Sequence, residues 1–308
     1  MIKFFGLLLL RLFIPIIIGL ACVFTYPVGF QKAISISNDN NQNSVKLSNN
    51  FVDLANTVAL TRYKNGSLIY DVLPAEKFKK TIIEGYGNCS NLVFGFSFLL
   101  RSNYVDYKII HLLHNKSYLL GDGHVVIQAA YSFNGATPYV GIIDIAENII
   151  PTKQDGSGLT LEDLHSNSLI DINLTRHNKI GDHHYNNDSN YDYYKEYYLS
   201  NSTIGYMDGD DVNNYMKFIE AIYVPIGSAK FEKFFYDGLS IFFGYYPKIY
   251  VKNITNLEWI YFYSAISHFY LWFIRMYVLL FIFWLVALRF NKNETNSAKS
   301  KGWNDFYR

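Results

Sequence analysis

Gly85-Tyr86-Gly87-Asn88-Cys89-Ser90-Asn91 runs directly into the apolar stretch Leu92-Val93-Phe94-Gly95-Phe96-Ser97-Phe98-Leu99-Leu100, and this junction decides how the chain folds. A glycine-rich turn followed by an apolar run of helical length predicts a helix over Asn88 to Arg101. It is apolar almost all round, so it belongs in the middle of a domain. Gly85 stops the preceding helix, Pro74 to Glu84, whose proline suits a first helical position. Cys89 then stands at a helix start, where backbone N–H groups lack intrahelical partners and the macrodipole is positive. That environment favours the thiolate, the nucleophilic form of the side chain.

A histidine and an aspartate follow in order. Gly121-Asp122-Gly123-His124 opens the stretch Val125 to Ala130 and predicts a strand over His124 to Ser132. Pro138 to Ala146 predicts another, passing through Tyr139-Val140-Gly141-Ile142-Ile143-Asp144. With Val105 to Leu113 ahead of them, and turns at Asn115-Lys116 and Asn134-Gly135, three antiparallel strands face one buried helix. This arrangement is of the α+β class.

The Cys-His-Asp order, the glycine-rich entry to Cys89, the helix end Leu99-Leu100-Arg101, the strand Val105 to Ile110 and the Gly-His opening together resemble the transglutaminase-like superfamily. The resemblance spans roughly Leu73 to Pro151. It implies a papain-like core, with the cysteine-bearing helix against an antiparallel sheet. It also implies roles: Cys89 as nucleophile on an amide or ester carbonyl, His124 as base and acid, and Asp144 as the group that orients the imidazole. The Cys89 N–H would donate to the oxyanion, with Tyr86 and Asn88 as candidates for a second donor. No cofactor and no metal enter such a mechanism. Where the family often has an aromatic residue two places after the histidine and an acid two further on, this chain has Val126 and Gln128. The second expectation is a non-catalytic member that binds a peptide or glycan as a scaffold in cell-envelope assembly.

Composition narrows the classes. A chain of 308 residues, 50% apolar, supports one to two domains with a sizeable core. Its net charge of +1 gives no electrostatic ground for a nucleic-acid partner. Cys22 lies in an apolar run near the start, so Cys89 is the lone thiol of the polar middle and reads as reactive rather than structural.

The two ends read as membrane segments. Leu12 to Phe30 is uncharged and preceded by Lys3 and Arg11; Phe269 to Leu288 is interrupted only by Arg275 and followed by Arg289, Lys292, Lys299 and Lys301. By the positive-inside rule both termini face the cytoplasm and the middle of the chain lies outside a cell (inner) membrane. The chain then divides into a cytoplasmic N-terminus (1–11), an uncleaved transmembrane anchor (12–30), a flexible spacer (31–50) and a transglutaminase-like core (51–151). A Tyr/Asn-rich extension (152–254), a capped helix (255–288) containing the second membrane segment (269–288) and a basic cytoplasmic tail (289–308) complete it. Arg275 either snorkels to the interface or meets a membrane-protein partner. The expected partners are the lipid bilayer and a peptide or amide-bearing cell-envelope substrate.

The remaining features read as ordinary structure. Phe51 to Leu60 has helical spacing, Leu159 to Leu164 is a short helix, and Asp210 caps a helix over Asp211 to Ala221. His177, His183 and His184 fit no common zinc spacing and read as a solvated loop. The Tyr-rich segment Tyr191 to Tyr206 is a surface loop or a binding wall.

Overall fold

A computed structural model describes residues 69–113, 123–132, 136–147, 149–166, 172–176, 203–251 and 258–304, together with 36–38, 44–45, 50–54, 64–65, Gly6, Arg11 and Tyr198. The chain forms two compact units, one of Ser35–Glu258 and one of Met1–Ile34 with Trp259–Arg308. The fold is α+β.

The strands of the first unit are β1 (Ile36–Asn38), β2 (Val52–Asp53), β3 (Lys64–Asn65), β4 (Tyr86–Gly87), β5 (Tyr107–Leu113) and β6 (His124–Ser132). They continue with β7 (Tyr139–Ile143), β8 (Ile149–Thr152), β9 (Asn173–Arg176), β10 (Thr203–Asp208) and β11 (Ile249–Val251). The main sheet runs β1-β11-β10-β5-β6-β2, with β7 also paired to β6. Its centre is antiparallel, and β1 and β2 add parallel pairings at the ends of the path. β6 is buried along its whole length, as a strand covered on both faces must be. Alternate positions of three strands, Ile110, Val126 and Ile142, share a cluster with Leu159, Leu161, Leu164 and Tyr198.

The cysteine helix spans Cys89–Ser102 and packs on β6. Leu92, Val93, Phe96 and Leu100, each at most 1% exposed, recur on one helical face. A helix of this length is marginal alone in water. Burying four large side chains at about 1.5–3 kcal/mol each outweighs that deficit. Gly95 lets the helix approach the segment before it, because a Cβ there would lie 1.9 Å from Thr81 Oγ1. At its C-terminal end Arg101 pairs with both carboxylate oxygens of Glu220, at 3.1 and 2.6 Å, tying it to the helix Gly209–Ile222.

Several expectations change in detail. Val52–Asp53 is a strand rather than part of a helix, pairing with Tyr131 and Ser132 beyond the point where the β5 register ends at Ala129. Ile36–Asn38, within the expected spacer, is an edge strand on β11. Asp208 rather than Asp210 caps the helix Gly209–Ile222, accepting the Asp210 N–H at 3.1 Å. Pro74 does open a helix, but Pro74–Phe78 continues as a π-helical turn, Lys79–Ile83, before Gly85 at φ 76°. The helix near Leu161 is Leu161–His165, with Thr160 as its cap.

In the second unit one long helix, Glu258–Asn304, contains the stretch Ser264–Phe290, 27 residues apolar enough to cross a membrane. At about 1.5 Å per residue it reaches roughly 40 Å, more than the ~30 Å hydrocarbon core. Phe269, Leu279 and Phe283 are exposed on it, an arrangement suited to lipid rather than water. Helix continues through the expected basic tail as far as Asn304. Among the described residues this is one membrane-length helix where two were expected; the apolar run 12–30 lies outside them. Cys22, His177, His183 and His184 lie outside them too.

Candidate active site

The turn into the cysteine helix is built by side chains as well as glycines. Asn88 caps the helix: its Oδ1 accepts the Asn91 N–H at 2.9 Å, and Asn91 Oδ1 accepts the Asn88 N–H at 3.4 Å. Asn91, 7% exposed, also clamps the chain at Ile69, accepting its N–H at 3.2 Å and donating to its carbonyl at 3.1 Å. Gly87 has φ +120°, and a Cβ there would lie 2.7 Å from Asn91 Cβ. No other residue type keeps this turn without strain. Cys89 is thereby held at the first helical position, partly exposed and free of any disulfide.

The strand register brings the histidine and the aspartate together. β6 and β7 pair Ile127 with Ile143, so the next step of the register sets Asp144 level with Val126, two residues from His124 along the strand. Residues in that diagonal relation share a face and sit about 7–8 Å apart at the backbone, within reach of an imidazole and a carboxylate. His124 Nε2 and Asp144 Oδ2 meet at 2.5 Å. Both side chains are buried, at 6% and 0% exposure. With Nε2 engaged by the carboxylate, Nδ1 is the nitrogen left for the thiol, and Cys89 is a hydrogen-bond and charge partner of His124.

Burial by itself favours the neutral imidazole. The Asp144 charge and hydrogen bond, joined by Cys89, outweigh it and hold His124 well above its ordinary 6.5. The ring is therefore an imidazolium when the thiolate is present.

Asp144 is held from three sides. Oδ2 also accepts the Tyr198 hydroxyl at 3.1 Å, Oδ1 accepts the Glu147 N–H at 3.2 Å, and its backbone bridges to Ile149. Burial, then the neighbouring Asp144 charge, pushes the Tyr198 phenol well above its ordinary 10.0, so it stays a neutral donor. Tyr198 was not singled out from sequence, where it is one tyrosine among many in Tyr191 to Tyr206. No local signal separates it from its neighbours.

The flanking residues take structural positions. Val126 is in the core, and the Gln128 side chain accepts the Leu161 N–H at 2.8 Å, anchoring the helix Leu161–His165 to the sheet. Of the two candidate oxyanion groups, Asn88 commits its side-chain oxygen to the cap, leaving its side-chain NH2 as the donor. Tyr86 is exposed on β4, level with Lys64 of β3. The Cys89 N–H, at the first helical position, has no carbonyl partner within the helix. Comparisons with protein-family models, curated proteins and solved structures found no match.

Proposed function

We propose that this chain is a membrane-anchored thiol enzyme of the transglutaminase-like type, acting on an amide outside the cell membrane. The observation that carries the reading is one chain of buried hydrogen bonds, Tyr198 to Asp144 to His124, that ends on a thiol at a helix start.

In this reading the Cys89 sulfur attacks the carbonyl carbon of a peptide or amide-bearing envelope polymer, while the imidazolium keeps the proton the thiol gave up. The Cys89 N–H receives the developing oxyanion. As the C–N bond breaks, His124 passes its proton to the departing amine, leaving a thioester on Cys89. Water, deprotonated by the now neutral ring, then attacks the thioester, and the sulfur leaves and is reprotonated. Asp144 fixes the ring so that one nitrogen serves both steps, and Tyr198 fixes Asp144. An amine acceptor in place of water would turn hydrolysis into acyl transfer through the same steps. Two membrane segments with cytoplasmic ends would place Ser35–Glu258 where such a substrate lies.

The experiment is labelling of the detergent-solubilised full chain with a peptidyl acyloxymethyl ketone, which needs an organised thiol–imidazole pair, followed by mapping of the modified residue. Cys89 is expected to be labelled in the native chain, and labelling is expected to vanish on denaturation and in His124→Ala. Equal labelling of native and denatured protein would overturn the reading in favour of a scaffold.

A further inference from the structure

The helix Ala229–Phe243 is turned inside out. A surface helix ordinarily buries its apolar stripe and shows water its polar one. Here Glu232, Tyr236, Asp237 and Ser240, each at most 7% exposed, are turned inward. Phe231, Phe235, Gly238 and Phe242 recur at helical spacing on the opposite arc, where Phe231 is 53% and Phe235 39% exposed. The Phe231 and Phe235 rings stack, with centroids 6.3 Å apart. Just before the helix, Val224 and Ile226 are exposed as well.

The rotation of the helix is set from inside. Glu232 accepts the Tyr223 hydroxyl at 2.9 Å and the Ile226 and Gly227 N–H groups at 3.0 and 3.3 Å. Asp237 accepts the Tyr215 hydroxyl at 2.7 Å and Lys233 Nζ at 2.6 Å, and the Tyr236 hydroxyl donates to the Val224 carbonyl at 2.6 Å. A helix rotated to bury its phenylalanines would break these bonds together and leave the Tyr215 hydroxyl and two N–H groups without their acceptors. The row Phe231–Phe235 therefore stays outward.

Lipid is the cover that the rest of the chain supplies. Residues 252–263 alone separate β11 from the membrane-length stretch Ser264–Phe290. At no more than about 3.6 Å per residue, that connection keeps β11 within roughly 45 Å of a bilayer, so the lipid surface is at high local concentration. The charges agree. Between Val224 and Lys248 both carboxylates, Glu232 and Asp237, are buried, and the exposed charges are the cations Lys230 and Lys248. An apolar row flanked by lysines is the pattern of a helix lying in a headgroup layer. A second copy would bring the same lysines and no exposed carboxylate in this stretch to meet them.

We propose that Ala229–Phe243 lies in the bilayer interface, seating Phe231 and Phe235 among the acyl chains and Lys230 against anionic headgroups. The proposal rests on the membrane reading of Ser264–Phe290 and is independent of the thiol chemistry. It gives the unit Ser35–Glu258 a second hold on the membrane besides its tether, and so a fixed side turned to the lipid.

Photocrosslinking from the helix itself tests this. p-Benzoylphenylalanine replaces Phe231, Phe235, Leu279 or Asp155, one at a time, in the full chain reconstituted into vesicles of phosphatidylethanolamine with a minority of phosphatidylglycerol. Leu279 is exposed on the membrane-length helix and Asp155 on a polar turn, so they are the positive and negative references. Phe231 and Phe235 are exposed and the replacement keeps an aromatic ring, so the fold tolerates it. After irradiation, peptide mass spectrometry is expected to find phospholipid adducts at 231, 235 and 279 and none at 155, with the yield at 231 and 235 rising with the phosphatidylglycerol fraction. Adducts at 279 without any at 231 or 235 overturn the proposal, as does a covalent dimer formed from 231 or 235, or adducts at 155 in equal yield. Absence of adducts at 279 removes the membrane span itself, and this proposal with it. None of these outcomes bears on the Cys89–His124 pair, whose alkylation is a separate measurement.

Discussion

Cys89→Ala and His124→Ala are each expected to abolish function in cells, with expression and membrane insertion staying near wild type for Cys89→Ala. Cys89 is partly exposed and small, so its loss leaves little cavity. In the proposed mechanism the groups act as one unit, and removing either member of such a unit lowers turnover about as far as removing all of it, on the order of 10⁶. The measurement is complementation of a deletion strain by each variant, with protein level checked in the same cells. A scaffold gives the reverse order, in which alanine for a small thiol is silent and aromatic changes such as Tyr86→Ala do the damage. Full rescue by Cys89→Ala would falsify the enzymatic account.

The largest loss of stability is expected at Asp144. It is fully buried and accepts hydrogen bonds from His124, Tyr198 and the Glu147 N–H, so Asp144→Ala strands two buried side-chain donors, one of them the His124 imidazolium, and a backbone N–H. Removing one partner of a buried pair typically costs about 3–5 kcal/mol. The check is the melting temperature of the purified full chain, with Asp144→Asn between wild type and alanine. The pH dependence has a definite sign. His124 is held well above its ordinary 6.5, so its charged-state contribution is fully present below that value and is lost as pH rises through the folded-state value. The difference in melting temperature between wild type and His124→Gln should therefore narrow on the alkaline side. A difference that widens there would contradict the buried ion pair.

The candidate residues Cys89, His124 and Asp144 were legible because each sits at an element boundary that local chemistry marks. Gly85 and Gly87 flag the turn before Cys89, the apolar stretch that follows flags the helix, and two apolar strands place His124 and Asp144 at their ends. Strand β6 needed no tertiary information, since nearly every residue from His124 to Ser132 suits a buried strand. What depends on distant pairing was hidden. β10 inserts beside β5 from some ninety residues away, and its glycine and short length leave a weak alternation. Val52 and Asp53 have a helical periodicity downstream, but the free edge of β6 beyond Ala129 claims them as a strand. Asn91 looked like one more asparagine after the cysteine, yet its buried amide ties three backbone groups. Asp208 outcompetes Asp210 as a cap because β10 delivers it, extended, to the helix start.

If Cys89 and His124 act as one pair, iodoacetamide should alkylate Cys89 of the native full chain faster than the same residue in His124→Ala, because His124 takes up the thiol proton. Both proteins are treated at one near-neutral pH and the rate is followed at the mapped residue. The wild-type rate is expected to exceed that of His124→Ala by at least about tenfold. Equal rates would mean that no thiol–imidazole pair forms.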